Sequence, residues 1–165
     1  MDQFYEQLLV TKKTTLYKVA NVMMYVFAVF GVIIFSANVI IGILLIGLAG
    51  AIFFLKKKLY VEYEYDFTNG EIDIDQILEM KKRVRVLTFK IKDVELLANE
   101  TSFYAKDFSN KPSKVMTFLP SSYEGKIYVA MLTGGNERVM IRFAPNEKFL
   151  NLCFKLNPRA VKKDS

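Results

Sequence analysis

Two runs of ionisable residues have the composition to do chemistry. The first is acidic: Glu62, Glu64, Asp66, Glu71, Asp73, Asp75 and Glu79 fall within 18 residues. Clustered carboxylates can hold a divalent cation or act as an acid/base pair. Calcium loops that are readable from sequence gather their oxygen ligands on one tight turn. These acids instead alternate with apolar residues. They are therefore expected on the exposed face of a sheet, opposite Arg83, Arg85, Lys90 and Lys92. The second run is basic: Lys81, Lys82, Arg83 and Arg85. Beside a membrane, such a cluster gains about 1 kcal/mol per charge from anionic headgroups. Elsewhere it is a solvated turn balanced by Asp73, Asp75 and Glu79. Contact with anionic lipid or an acidic partner, and an ordinary charged turn, are both open readings at this point.

Other chemistry is sparse. The chain has no histidine, which removes the commonest metal ligand and the commonest general base near neutral pH. Its one cysteine, Cys153, falls on the apolar stripe of a predicted helix and reads as structural. Thr133-Gly134-Gly135-Asn136 is a turn and not a phosphate loop, because no Gly-Lys-Ser/Thr follows. Tyr60, Tyr63, Tyr65 and Phe67 suit a core or an interfacial belt better than a base-stacking platform. The expectation is a non-enzyme with no catalytic residue, no cofactor and no metal site. Net charge is +6, of which +4 lies before residue 59. The basic excess flanks an apolar stretch and implies no nucleic-acid partner.

That stretch positions everything else. Val19 to Leu55 runs 37 residues without Asp, Glu, Lys or Arg. A single helix of that length would be roughly 55 Å long, against a hydrocarbon core of about 30 Å. Two legs fit, broken at Ser36-Ala37-Asn38: Leu16 to Phe35 outward and Val39 to Leu55 back. A chain of this size cannot bury such a hairpin in a soluble core. Cleavage as a signal peptide is disfavoured by the length of the run and by bulky Phe35 before the best site at Ala37. Lys12, Lys13 and Lys18 precede the hairpin, and Lys56, Lys57 and Lys58 follow it. Basic flanks stay on the cytoplasmic side, so a plasma-membrane protein with two spans and both termini cytoplasmic is predicted. Ala28, Gly31, Gly42, Gly47, Gly50 and Ala51 offer small surfaces for packing within the hairpin or between copies.

The remaining organisation is a segment 1–15, the hairpin 16–57 and a domain 59–165. In the first segment Phe4, Tyr5, Leu8 and Leu9 share a helical face, which suits a short interfacial helix, and a disordered amino terminus with a few apolar residues is equally open. From Leu59, Val61, Tyr63, Tyr65 and Phe67 alternate with acids, as a half-buried strand does. Thr68-Asn69-Gly70 turns the chain into Glu71 to Ile77, with Ile72 and Ile74 inward. Arg83 to Ile91 follows, with Arg83, Arg85, Leu87, Phe89 and Ile91 on one face, and then Val94 to Ala98. A short strand near Phe103-Tyr104, a loop through Ser109 to Pro112, and strands at Val115 to Leu119, Lys126 to Leu132 and Glu137 to Phe143 complete the sheet, the last two joined by a turn at Gly134-Gly135-Asn136. Pro145-Asn146 starts a helix with Phe149, Leu150, Cys153, Phe154 and Leu156 on its buried stripe, and Arg159 to Ser165 is a frayed basic tail.

About seven strands and one carboxy-terminal helix, notably Tyr63 to Ile77 and Phe143-Ala-Pro-Asn-Glu-Lys-Phe149, resemble the pleckstrin-homology-like (PH-like) fold. A transmembrane hairpin followed by such a domain resembles the membrane-anchored bacterial PH-like proteins. The resemblance covers roughly residues 59–159. It implies an α+β membrane protein: a two-helix hairpin, then an antiparallel barrel or sandwich capped by the last helix. It implies architecture rather than activity. The expected role is a module that binds a protein partner or the anionic membrane surface. The alternative is an accessory or scaffolding subunit of a larger, or homo-oligomeric, membrane complex.

Overall fold

A computed structural model describes residues 3–108, 112–134 and 137–163. Two helices, α1 (Thr15–Phe35) and α2 (Val39–Leu55), form the hairpin. Thr14 caps α1 by accepting from Tyr17 N at 3.3 Å, and Asn38 caps α2 by accepting from Ile41 N at 3.2 Å. The break thus falls at Ser36 to Asn38, where the polar residues predicted it. Both helices are long and apolar enough to cross a membrane, and few of their residues are buried. Gly31 and Gly42 set their separation. A Cβ on Gly42 would lie 2.6 Å from Phe35 Cα, and one on Gly31 would lie 2.8 Å from Ile46 Cγ1. Gly47 and Gly50 face open space instead.

Eight strands build two sheets among the described residues. The first sheet is antiparallel in the order β1 (Phe4–Leu9), β2 (Val61–Thr68), β3 (Glu71–Leu78), β4 (Lys82–Lys90). The second has the order β5 (Val94–Asn99), β7 (Tyr128–Gly134), β8 (Glu137–Phe143), β6 (Lys114–Thr117), with β6 parallel to β8. A one-turn helix, α3 (Phe103–Lys106), follows β5, and α4 (Glu147–Leu156) follows β8.

The first correction is at the amino terminus. Residues 4–9 are a strand and not an interfacial helix. The side chains of Tyr5, Gln7 and Leu9 turn inward in alternation, and the ladder to β2 satisfies a backbone that a short isolated helix would leave frayed. The sheet domain therefore begins before the hairpin, which is inserted into the β1–β2 connection.

The second correction is at β4. Leu87 pairs with Ile74 and Arg85 with Asp75, so Val86 is an extra residue in a β-bulge. Leu87 and Phe89 keep the core face. Arg83 and Arg85 are carried to the opposite face, against the expected alternation.

Three smaller differences follow. Phe103-Tyr104 forms α3 because Ser102 caps it, accepting from Ala105 N at 3.3 Å. Phe154 is 37% exposed, while Phe149, Leu150 and Cys153 form the buried stripe of α4. The tail is held as far as Lys162: Lys162 N donates to Leu97 O at 2.8 Å, and Ala160 and Val161 are buried. The turn at residues 135–136, the loop at 109–111 and residues 164–165 lie outside the described residues.

The core lies between the sheets. Tyr65, Phe67, Ile72, Ile74, Leu97, Ile141 and Phe143 are almost fully buried there, and α4 adds Phe149. Phe149 meets Tyr65, Phe67 and Phe143 edge-on, with ring centroids 5.8 to 6.4 Å apart. Asn146 caps α4 as predicted, accepting from Phe149 N at 2.9 Å.

Candidate functional site: the hairpin base and the acidic sheet face

The β3–β4 turn sits at the base of the hairpin. Glu79 and Met80 both have positive φ, 50° and 57°, and this tight reversal projects the tip. Glu79 N donates to Tyr60 O at 3.1 Å, and the Tyr17 hydroxyl donates to Glu79 Oε1 at 3.2 Å. Tyr17 packs tilted against Tyr60, ring centroids 5.5 Å apart, with Lys13 Nζ 5.8 Å from both rings. Met80, Lys81 and Lys82 are exposed at this tip. The structure thus brings Lys81 and Lys82 next to the residues that flank the hairpin.

The flanking lysines divide by environment. Lys12, Lys13, Lys18 and Lys58 are exposed. Lys57 lies over the Phe53 ring at 4.4 Å. Lys56 is 7% exposed and donates to Asn21 Oδ1 at 2.6 Å. That contact ties the last turn of α2 to the first turns of α1. Asn21 was not singled out from sequence, although a lone amide early in an apolar run is itself a signal of a buried polar contact.

Arg83 and Arg85 do not join Lys81 and Lys82. Arg83 pairs with Glu64, and Arg85 pairs with Asp73 at 2.9 Å and with Asp75 at 3.1 Å. The bulge at Val86 places both guanidinium groups over the acids. Of the other predicted partners, Lys90 stands opposite Glu71, while Lys92 lies past the end of the ladder.

The acidic face is less solvated than its alternation suggests. Glu62, Glu64, Asp66 and Asp75 are all buried, crowded on a central pair of strands. Glu62 Oε1 accepts from Thr11 N at 3.3 Å and from the Tyr60 hydroxyl at 3.4 Å. Thr88 donates to Asp73 at 2.5 Å. Burial, followed by the neighbouring carboxylates of Glu64, Glu6 and Asp75, pushes Asp66 up to about 6. Burial also raises Glu64, against the pull of Arg83. Glu6 belongs to this face because β1 is a strand.

Burial pushes the Cys153 thiol up to about 12, so almost none is thiolate at neutral pH. A cavity of about 530 Å³ between β1 and the start of α4 is lined by residues including Gln7, Tyr128, Glu147 and Lys163, without Ser, Thr or Cys.

Two facing sheets with a carboxy-terminal helix packed into one end define a PH-like architecture. The chain belongs to the family described as "Bacterial PH-like domain (DUF6106)", whose model matches residues 1–163 and so includes β1 and the hairpin. No curated protein and no solved structure matches the chain.

Proposed function

We propose that this chain is a non-enzymatic, membrane-anchored PH-like module. Its hairpin crosses the plasma membrane twice, with both ends cytoplasmic, and its β3–β4 tip contacts anionic headgroups. One observation carries the reading. The Tyr17–Glu79 hydrogen bond holds the tip beside the entry of α1. Met80, Lys81 and Lys82 then sit level with the lysines that flank the hairpin, within reach of a bilayer surface. A polybasic rim of this kind gains about 1 kcal/mol per charge near anionic lipid. Arg83 and Arg85 take no part, being engaged on the sheet face.

The test uses the full chain with Cys153→Ala and an environment-sensitive fluorophore at Met80→Cys, reconstituted in nanodiscs. Phosphatidylglycerol discs should blue-shift the probe relative to phosphatidylcholine discs, and Lys81→Glu with Lys82→Glu should abolish the difference. Equal spectra in both lipids would reject the headgroup contact. Topology is read separately in intact cells. In the same background, Ala37→Cys should react with an impermeant thiol reagent from outside, and Ser121→Cys should not.

A second reading, a subunit of a larger or homo-oligomeric membrane complex, is favoured by the open flank at Gly47 and Gly50. It predicts a defined multiple of 19.0 kDa for the protein mass in mild detergent, reduced to one chain by Gly47→Leu.

A further inference from the structure

The outer face of the first sheet carries more negative charge than its own cations neutralise. The register sets Glu6 opposite Asp66, Asp66 opposite Asp73, and Glu64 opposite Asp75. Like charges directly opposite across a ladder are destabilising. Arg85 answers Asp73 and Asp75, and Arg83 answers Glu64. Asp66 has no such answer. It is 8% exposed, and its Oδ1 has no hydrogen-bond partner among the described residues. A buried carboxylate without a partner is costly.

The geometry offers it a ligand. One carboxylate oxygen each from Glu6, Glu64 and Asp66 lies within 4.8 Å of the other two. Two oxygens bound to one Ca²⁺ at 2.3–2.6 Å can be at most about 5.2 Å apart. Three oxygens at the full 4.8 Å separation lie about 2.8 Å from a common centre, so a closure of a few tenths of an ångström brings all three onto one Ca²⁺. Octahedral Mg²⁺, with bonds of about 2.0–2.1 Å, would require a larger closure.

We propose that Glu6, Glu64 and Asp66 form a binding site for a hard divalent cation of the Ca²⁺ class, bridging β1 and β2. The donors are all oxygen, which selects hard cations over thiolate- or imidazole-seeking metals. Glu6 is exposed and provides the entry side, where water completes the coordination. The ion would clip β1, the strand that precedes the hairpin, to the domain that follows it. This role is independent of the membrane contact proposed above.

The test uses the full-length protein in detergent micelles, stripped with EDTA and titrated with CaCl₂ alone at matched ionic strength. Calorimetry should find one site per chain, and Tm should rise with the logarithm of Ca²⁺ concentration above Kd. Asp66→Asn should lose the Ca²⁺ response and, in EDTA, melt no lower than wild type, because it removes one repelling charge. Glu6→Gln, at an exposed side chain that folding does not need, should weaken Ca²⁺ by about tenfold or more, since even outer-sphere changes act on that scale. The proposal is overturned if wild type shows no Ca²⁺ response beyond a NaCl control. It is equally overturned if Asp66→Asn and Glu6→Gln respond as wild type does.

Discussion

The side-chain oxygen of Gln7 accepts the backbone N–H of Asn146 at 2.8 Å, across 139 residues of sequence. The same amide donates to Ala144 O at 2.8 Å. One side chain of β1 thereby satisfies two backbone groups at the start of α4, where the chain leaves the second sheet. Gln7→Ala would strip both partners at a half-buried position. The orphaned Ala144 carbonyl is part-buried and costs about 1–3 kcal/mol, while the exposed Asn146 N–H can turn to water, so a drop of about that size is expected. Phe4→Ser, on the exposed side of the same strand, should stay within about 0.5 kcal/mol of wild type. Chemical unfolding of the full chain in detergent, followed by tyrosine fluorescence, compares the two. Equal effects would mean that β1 is bound by its ladder alone.

The insertion of the hairpin between β1 and β2 makes a second prediction. A chain cut to residues 59–165 loses β1. The edge of β2 is then unpaired, and Tyr5 and Leu9 leave the core margin. That fragment should aggregate or melt without cooperativity. Replacing residues 12–60 with Asn-Gly should restore a soluble, cooperatively melting β-rich domain, since the register of Leu9 with Tyr63, carried on, sets Thr11 opposite Val61 with a two-residue turn between them. Circular dichroism and size-exclusion chromatography of the two chains decide it. A 59–165 fragment as stable as the joined chain would show that β1 contributes nothing.

The last helix divides its two phenylalanines. Phe149 is fully buried among Tyr65, Phe67 and Phe143, whereas Phe154 is 37% exposed and covered by Lys163 Nζ at 4.3 Å. Phe149→Ala should cost about 3–5 kcal/mol. Phe154→Ala should cost about 1 kcal/mol or less, the worth of a partly exposed ring and a surface cation–π contact. Thermal melts of both variants check the ranking, and the reverse order would displace Phe149 from the centre of the core.

The contrast between these two residues shows what the sequence made legible. The period of α4, its Asn146 cap and its apolar stripe were all readable, because each is local. Which edge of the stripe meets the core depends on the angle at which the helix lands, and that is set by Gln7 from the other end of the chain. The same holds for β1. Its six residues carry alternating and helical apolar spacings at once, and only the free edge of β2, far along the sequence, selects the strand. The hairpin was fully legible because a bilayer-length apolar run with a polar break has few physical solutions. The acidic face was legible as a cluster. Its third cation ligand, Glu6, was not, since it arrives on the strand whose type was misread.

The bulge at Val86 is invisible in the alternation of Arg83, Arg85, Leu87 and Phe89, and it carries the last prediction. In a regular strand those four residues would share one face, burying two guanidinium groups beside Ile74. The extra residue reverses the face for everything before it, so Arg83 reaches Glu64 and Arg85 reaches Asp73 and Asp75. Deleting Val86 removes the extra residue without removing a charge. Arg85 then directly precedes Leu87, so a regular ladder keeps Leu87 opposite Ile74 and Arg85 opposite Asp75, with both arginines on the acid face. Deletion should therefore leave a cooperative melt, lowered by about 1–3 kcal/mol for the lost half-buried side chain and the lost bend. Val86→Thr keeps the backbone count and a half-buried side chain of the same shape, and should cost about 1 kcal/mol. If the deletion abolishes the cooperative melt while Val86→Thr does not, the bulge does more than restore the face of the two arginines.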